Sequence, residues 1–190
     1  MKINKDIFEK DDLNEIFYGL MENHFPDYDE DSFELLDEVS KTFVLISVMD
    51  GQIHNGGVIQ FIDNGSGNYF HETIDAAQKI GCDGLVQLLE KAASQFPENK
   101  IPKDWNERRD LIDDLNEQNS IKVTFAELDN HAKERFLENH DPSIPLNEIE
   151  IELESEWGKV WGELDNWYYE NYLDIYKSLF EYLKENATVE

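Results

Sequence analysis

The densest chemistry in this sequence is carboxylate. Asp27, Asp29, Glu30, Asp31, Glu34, Asp37 and Glu38 place seven acids in twelve residues, and Glu148, Glu150, Glu152, Glu154 and Glu156 place five in nine. Like charges this close repel one another and weaken the local chain unless a counter-charge arrives. Calcium is one such counter-charge, but the first run keeps neither the ligand spacing nor the central glycine of an EF-hand loop. A basic protein asks for less: an array of carboxylates where its Lys and Arg otherwise meet phosphates. Both runs are therefore candidate partner-binding surface. The simpler alternative, a solvated acidic surface, stands beside that reading.

Other chemistries find little footing. His24, His54, His71, His131 and His140 form no HExxH pair, and with Cys82 they give no zinc-ligand spacing. There is no G-x-S-x-G elbow, and Gly65-Ser66-Gly67 is followed by Asn68 rather than by a Lys that reaches phosphates. Acid pairs are too numerous for any one to stand out as a general acid and base. The expectation is a protein that is not an enzyme, with no catalytic residues, no metal and no cofactor.

One local pattern is more specific. Asn55-Gly56-Gly57-Val58-Ile59-Gln60-Phe61-Ile62-Asp63-Asn64 sets amide side chains among apolar residues. Buried amides need partners. A structural role is preferred, in which Gln60 or Asn64 hydrogen-bonds back to the Asn-Gly-Gly turn. The functional competitor is a small-molecule pocket lined by Asn55, Gln60 and Asn64.

These groups must be positioned by helices, because most of the chain reads at helical period. Ile3, Ile7, Phe8, Phe17, Leu20 and Met21 fall on or near one face. Ser32 reads as the N-cap of a second helix carrying Phe33, Leu36, Val39, Phe43 and Ile46, which runs to about His54. Asn55-Gly56-Gly57 breaks it, and Val58 to Asp63 forms a second piece. Further helices are expected over 72–80, ended by Gly81, and over 85–96, 104–117 and 125–137. For 148–156 the evidence divides. Strict alternation of Glu with Ile149, Ile151, Leu153 and Ser155 argues for a strand, yet the same apolar residues continue a helical stripe from about Trp157 to Tyr182. The reading favours helix, and hence a single all-α domain over 1–190 with acidic outer helices and a core motif region at about 39–96. The aromatic segment from Trp157 to Tyr176 serves equally as core or as a dimer face, so the oligomeric state is left open.

Charge bounds the partners. The 190 residues hold 43 acidic and 16 basic side chains, a formal net charge of −27. Nothing here would neutralise a phosphate backbone, so direct binding of nucleic acid is excluded and binding to an anionic membrane is disfavoured. The excess is uneven: net −10 over residues 1–50, −3 over 51–100 and −14 over 101–190. A lone cysteine fits a reducing compartment, and the N-terminus has no apolar stretch for a signal peptide, so a cytoplasmic protein is expected.

The order N-G-G-x-x-Q-F-x-x-N at Asn55, Gly56, Gly57, Gln60, Phe61 and Asn64, then Ala76, Ala77, Ile80 and Gly81, resembles a bacterial family of DMP-type DNA-mimic proteins, most of them domains of unknown function. Leu164-Asp165, Trp167-Tyr168-Tyr169 and Leu179 to Leu183 are similar to its closing helix. The resemblance implies an all-α fold. It suggests an acidic surface that occupies the DNA-binding face of a transcription factor or nucleoid protein. Two alternatives stay open: an immunity or inhibitor protein against a basic nuclease toxin, and a small-ligand-binding domain.

Overall fold

Asp12 opens the first α-helix: its carboxylate accepts the backbone N–H of Asn14 at 2.8 Å, and α1 runs Leu13–His24. The computed structural model describes residues 1–24 and 33–190, without the side chains of His24 and Glu148. Ser32 and four acids of the first run, Asp27, Asp29, Glu30 and Asp31, lie outside the described residues. Asp37 caps the next helix, α2 (Glu38–Asp63), by accepting the N–H of Ser40 at 2.8 Å. The remaining α-helices are α3 (Phe70–Lys79), α4 (Asp83–Ala93), α5 (Trp105–Asn119), α6 (Asn130–Asn139) and α7 (Glu156–Asn186). The strands β1 (Lys2–Ile3), β2 (Ile121–Thr124), β3 (Glu150–Leu153) and β4 (Thr188–Val189) are short, and the fold is all-α in class.

The chain divides into two compact units, Met1–Arg109 with Trp161–Glu190, and Asp110–Val160. In the first unit α7 is the organiser. Its stripe of Trp161, Leu164, Tyr168, Ile175, Tyr176, Leu179, Phe180 and Leu183 is buried at helical spacing. Tyr176 stacks on Phe17 of α1 with ring centroids 4.2 Å apart. Trp167 lies so close to Gly84 of α4 that a Cβ there would meet its ring at 2.7 Å. The aromatic segment is thus largely core, although Tyr169 keeps 44% exposure.

Glycine punctuation falls where expected. Gly57 sits at φ +81° inside α2, and Gly81 at φ +69° ends α3, with Cys82 N–H reaching back to the Ala77 carbonyl. After α2, the turn at Gly65–Tyr69 is held by Arg108, which is wholly buried and has no direct carboxylate partner among the described residues. Its guanidinium donates to the carbonyls of Ile62 (2.6 Å), Pro102 (2.8 Å), Lys103 (3.0 Å) and Asn64 (2.8 Å), and to Asn68 Oδ1 (3.0 Å). All five N–H donors are used. Burial lowers the pKa of this arginine, and Asp63 and Asp104 oppose that. Gly67 makes the arrangement possible, since a Cβ there would meet the Ile62 carbonyl oxygen at 2.0 Å.

Four local expectations need correction. The second helix starts at Glu38 under the cap of Asp37, so Phe33 and Leu36 do not lie on it. Ile3 does not continue a helical face: it is buried in β1, which pairs in parallel with β4. Residues 125–137 are not one helix, because β2 precedes a 3-10 turn at Phe125–Glu127 and α6 starts at Asn130 under the cap of Asp129. Within 148–156, residues 149–155 are not helical either. Glu150–Leu153 form a strand antiparallel to β2, with Glu152 opposite Lys122 and Leu153 opposite Ile121. A distant strand with matching alternation outweighed the local helical stripe, and α7 starts only at Glu156.

Candidate functional site

The Asn-Gly-Gly segment turns α2 through a kink, and each glycine makes room for a different polar group. At Gly57 a Cβ would lie 2.5 Å from Asp165 Oδ2. That carboxylate, carried on α7, accepts the N–H of Val58 at 2.7 Å. It thereby caps the second half of α2, where an orphan donor and the helix dipole favour an anion. At Gly56 a Cβ would meet Gln60 Oε1 at 1.9 Å, so the Gln60 amide lies across the glycine. Contrary to the expectation from the sequence, Gln60 and Asn64 do not bond back to the turn. Both donate instead to Gln52 Oε1, at 3.1 and 2.6 Å. The reason is geometric: Gln52, Gln60 and Asn64 meet across the kink, and the turn's free donor is already taken by Asp165. Asn55 is exposed.

A cavity of about 360 Å3 lies beside this amide cluster, lined by Gln52, Phe61, Asn64 and Tyr69 among others. Of the three residues expected to line a pocket, Asn64 does; Asn55 and Gln60 do not.

Nearly two turns before the kink, Asp50 is buried and satisfied. Its Oδ1 accepts from Tyr168 at 2.6 Å and its Oδ2 from Tyr176 at 3.0 Å, while His54 Nδ1 lies 3.3 Å from Oδ1. Burial raises the pKa of Asp50, and the tyrosine hydroxyls and His54 pull against that shift. Burial and the neighbouring carboxylate push both tyrosines above their ordinary range. The arrangement joins α2 to α7. Sequence reasoning missed Asp50 and Asp165 as functional groups, because their partners lie more than a hundred residues away.

The acidic runs have mixed fates. Glu34 pairs with Lys41 at 3.3 Å and Glu38 with Lys79 at 2.8 Å. Asp37 caps α2 and pairs with the Met1 ammonium at 2.6 Å; hydrogen bonds from that ammonium and from Ser40 hold its carboxyl down to about 2. These three are partly spent on local structure. In the second run Glu150, Glu152, Glu154 and Glu156 are all exposed. Ser120 donates to Glu152 at 2.8 Å, and Lys159 pairs with Glu156 at 2.6 Å.

A further acidic array was not singled out from the sequence. Asp110, Asp113, Asp114 and Glu117 on α5 are all exposed. Their spacing of three, four and seven puts them on one helical face, four carboxylates over roughly 10 Å of axis. The signal was legible as an i, i+3, i+4, i+7 pattern of acids. It was hidden by reading that pattern for apolar residues alone.

Among the described residues, no group of three or more His, Cys, Asp or Glu is placed to hold a metal ion. None of the helices among them is long and apolar enough to cross a membrane. Cys82 is a free thiol whose pKa is raised by burial.

Comparison with known proteins gives one finding. No curated protein and no solved structure matches the chain. A family model described as DMP19-like protein matches residues 34–148, which span both the kinked helix and the acidic face of α5. That is more than half of the sequence, and the chain belongs to the DMP19-like protein family.

Proposed function

We propose that this protein is a binding protein rather than an enzyme, and that it acts as a DNA mimic. Its exposed carboxylates would occupy the DNA-binding surface of a basic transcription factor or nucleoid protein. The observation that carries this reading is the acidic balance of Asp110–Val160. This segment holds 14 acidic and 4 basic residues, net −10 in 51 residues. Among its described residues one lysine ion pair is present, Lys159 with Glu156. The first unit spends eight lysines on ion pairs, and its Arg108 is buried. Carboxylates without a neighbouring cation are available to an incoming Lys or Arg, and exposed ones cost little desolvation until the partner arrives. The four acids of α5 follow one another at an average of roughly 3.5 Å along the axis. Duplex DNA has one per ~1.7 Å over both strands and ~3.4 Å along one. The charge spacing on α5 is therefore close to that of a single DNA strand.

The partner of this reading is a basic DNA-binding protein met in the cytoplasm. The mechanism is competitive occlusion, so affinity falls steeply with salt. The test uses the full chain, immobilised, with lysate applied at about 50 mM salt and eluted with duplex DNA. Retained DNA-binding proteins that the duplex displaces support the reading. Retention of none, or retention that the duplex does not disturb, ends it.

A further inference from the structure

We propose that the cavity beside the kink of α2 is a binding site for a small neutral molecule. The ligand class is a flat ring bearing a lactam or carboxamide edge, with an N–H and a C=O side by side. The site lies wholly in the first unit and shares no residue with the acidic surface.

Three features of the lining lead there. First, the cavity holds about 360 Å3. That is within the range of small-molecule sites, which are mostly apolar with a few placed polar groups. Val44, Leu45, Val48 and Phe61 make the apolar walls, and the Tyr69 ring completes them. Second, among the described residues that line it none is Asp, Glu, Lys, Arg or His, in a chain of net charge −27. An ionic ligand would find no counter-charge there, whereas a neutral one escapes the repulsion that the rest of the protein offers to anions.

Third, the polar edge has a defined pattern. Gln60 Nε2 lies 3.5 Å from the backbone carbonyl of Gln52, an atom that only accepts. This fixes the Gln60 amide with its nitrogen toward Gln52. The same nitrogen donates to Gln52 Oε1 at 3.1 Å, which fixes the Gln52 amide in turn. Asn64 Nδ2 then donates to that oxygen at 2.6 Å. Of these two cavity-lining residues, Gln52 keeps donor capacity at Nε2 and Asn64 keeps acceptor capacity at Oδ1. Ser66 and Thr73 use their hydroxyl hydrogens on the carbonyls of Phe61 and Tyr69, so they add acceptor capacity only. A donor and an acceptor on two side chains in contact match the C=O and N–H of one lactam edge. The aromatic and apolar walls match its ring. Gly56 underlies the pattern, because the Gln60 amide lies where a Cβ would be.

The test titrates 2-quinolone, a bicyclic lactam, into the full chain and follows backbone amide resonances. 1-Methyl-2-quinolone, which lacks the N–H, and quinoline-2-carboxylate, which is anionic, are the comparison compounds. For a ligand of this size, a Kd of about 1 mM or tighter is expected. The saturable shifts are expected at Val48, Phe61, Ser66 and Thr73. The two comparison compounds should bind at least about tenfold more weakly. Gln52→Glu keeps an oxygen for Gln60 and Asn64 but replaces the free donor with an acceptor, and it too should lose about tenfold. Val48→Trp fills the cavity and should abolish binding, with the remaining spectrum showing that the chain is folded. The proposal is overturned by any of three results: no saturable shift up to about 10 mM 2-quinolone, equal binding of the N-methyl compound, or binding unchanged in Gln52→Glu. None of these results touches the capture experiment on the acidic surface, so the two readings fail separately.

Discussion

The two units treat their charged and polar groups in opposite ways. In Met1–Arg109 with Trp161–Glu190, they are used internally. Arg108 fills all five donors with nearby acceptors, Asp50 takes two tyrosine hydroxyls, and Asp165 caps a helix half. In Asp110–Val160 the carboxylates of α5 and β3 face outward, and the basic residues are too few to neutralise them. Buried polar groups that are fully paired specify a fold. Exposed like charges destabilise slightly while keeping a protein soluble, and they remain open to an incoming cation. The contrast separates the part of the molecule that holds shape from the part proposed to meet a partner.

The contrast can be broken most severely at Arg108. Arg108→Met strands four carbonyls in the interior and should cost about 4 kcal/mol or more, read from urea unfolding. A loss below about 1 kcal/mol would mean that the internal network is dispensable. Next is Gly57→Ala, which adds a Cβ at positive φ against Asp165 and should cost about 2–3 kcal/mol by thermal unfolding. Asp165→Ala, which leaves the Val58 N–H unpaired, should cost about 1 kcal/mol. If Asp165→Ala proves the more harmful of the two, the cap matters more than the close approach.

Two aspartates should show opposite pH signatures in the first unit. Asp50 has a raised pKa, so its contribution is full below its unfolded value of 3.8 and is lost as pH rises through the folded value. Asp50→Asn removes that loss, and its stability curve should be flatter than wild type above pH 3.8. Asp37 has a lowered pKa, so its contribution is full above 3.8 and disappears as pH falls to about 2. Asp37→Asn should therefore be less stable than wild type near neutrality, by under about 1 kcal/mol for so exposed a pair, and equal to it near pH 2. Parallel curves for the variants and wild type would contradict both assignments.

The smallest effect on stability belongs to the second unit. Neutralising α5 as Asp110→Asn, Asp113→Asn, Asp114→Asn and Glu117→Gln together should leave stability within about 0.5 kcal/mol of wild type, or raise it. The same variant should bind a basic partner at least about tenfold more weakly at low salt. Unchanged binding would remove α5 from the proposed surface and leave β3 and the first acidic run to carry it.

Much of the helical order was legible because its signals are local. The breaks at Gly57 and Gly81 follow from backbone freedom, and Phe43 and Ile46 of the stripe expected for the second helix are buried in α2, although so are their neighbours Val44, Leu45 and Ser47. The site was less legible. Gln60 and Asn64 were recognised as amides in need of partners, but Gln52, which receives both, gives no local sign of its role. Arg108 reads as one more surface cation in an acidic helix, and only its surroundings make it buried. At 150–153 the alternation was visible, but whether it formed a strand depended on a second strand at 121–124.

The sequence by itself determined the all-α class, the kink, and the acidic excess with its uneven distribution, because periodicity, glycine conformation and charge are properties of the residues and their near neighbours. Only the tertiary structure decided which carboxylates are spent and which remain exposed. Asp165 and Glu163 lie two residues apart on one helix, yet one is locked against Val58 and the other meets Lys91 at the surface. A carboxylate's role is set by the donors that folding brings within about 3 Å, and those donors come from distant parts of the chain.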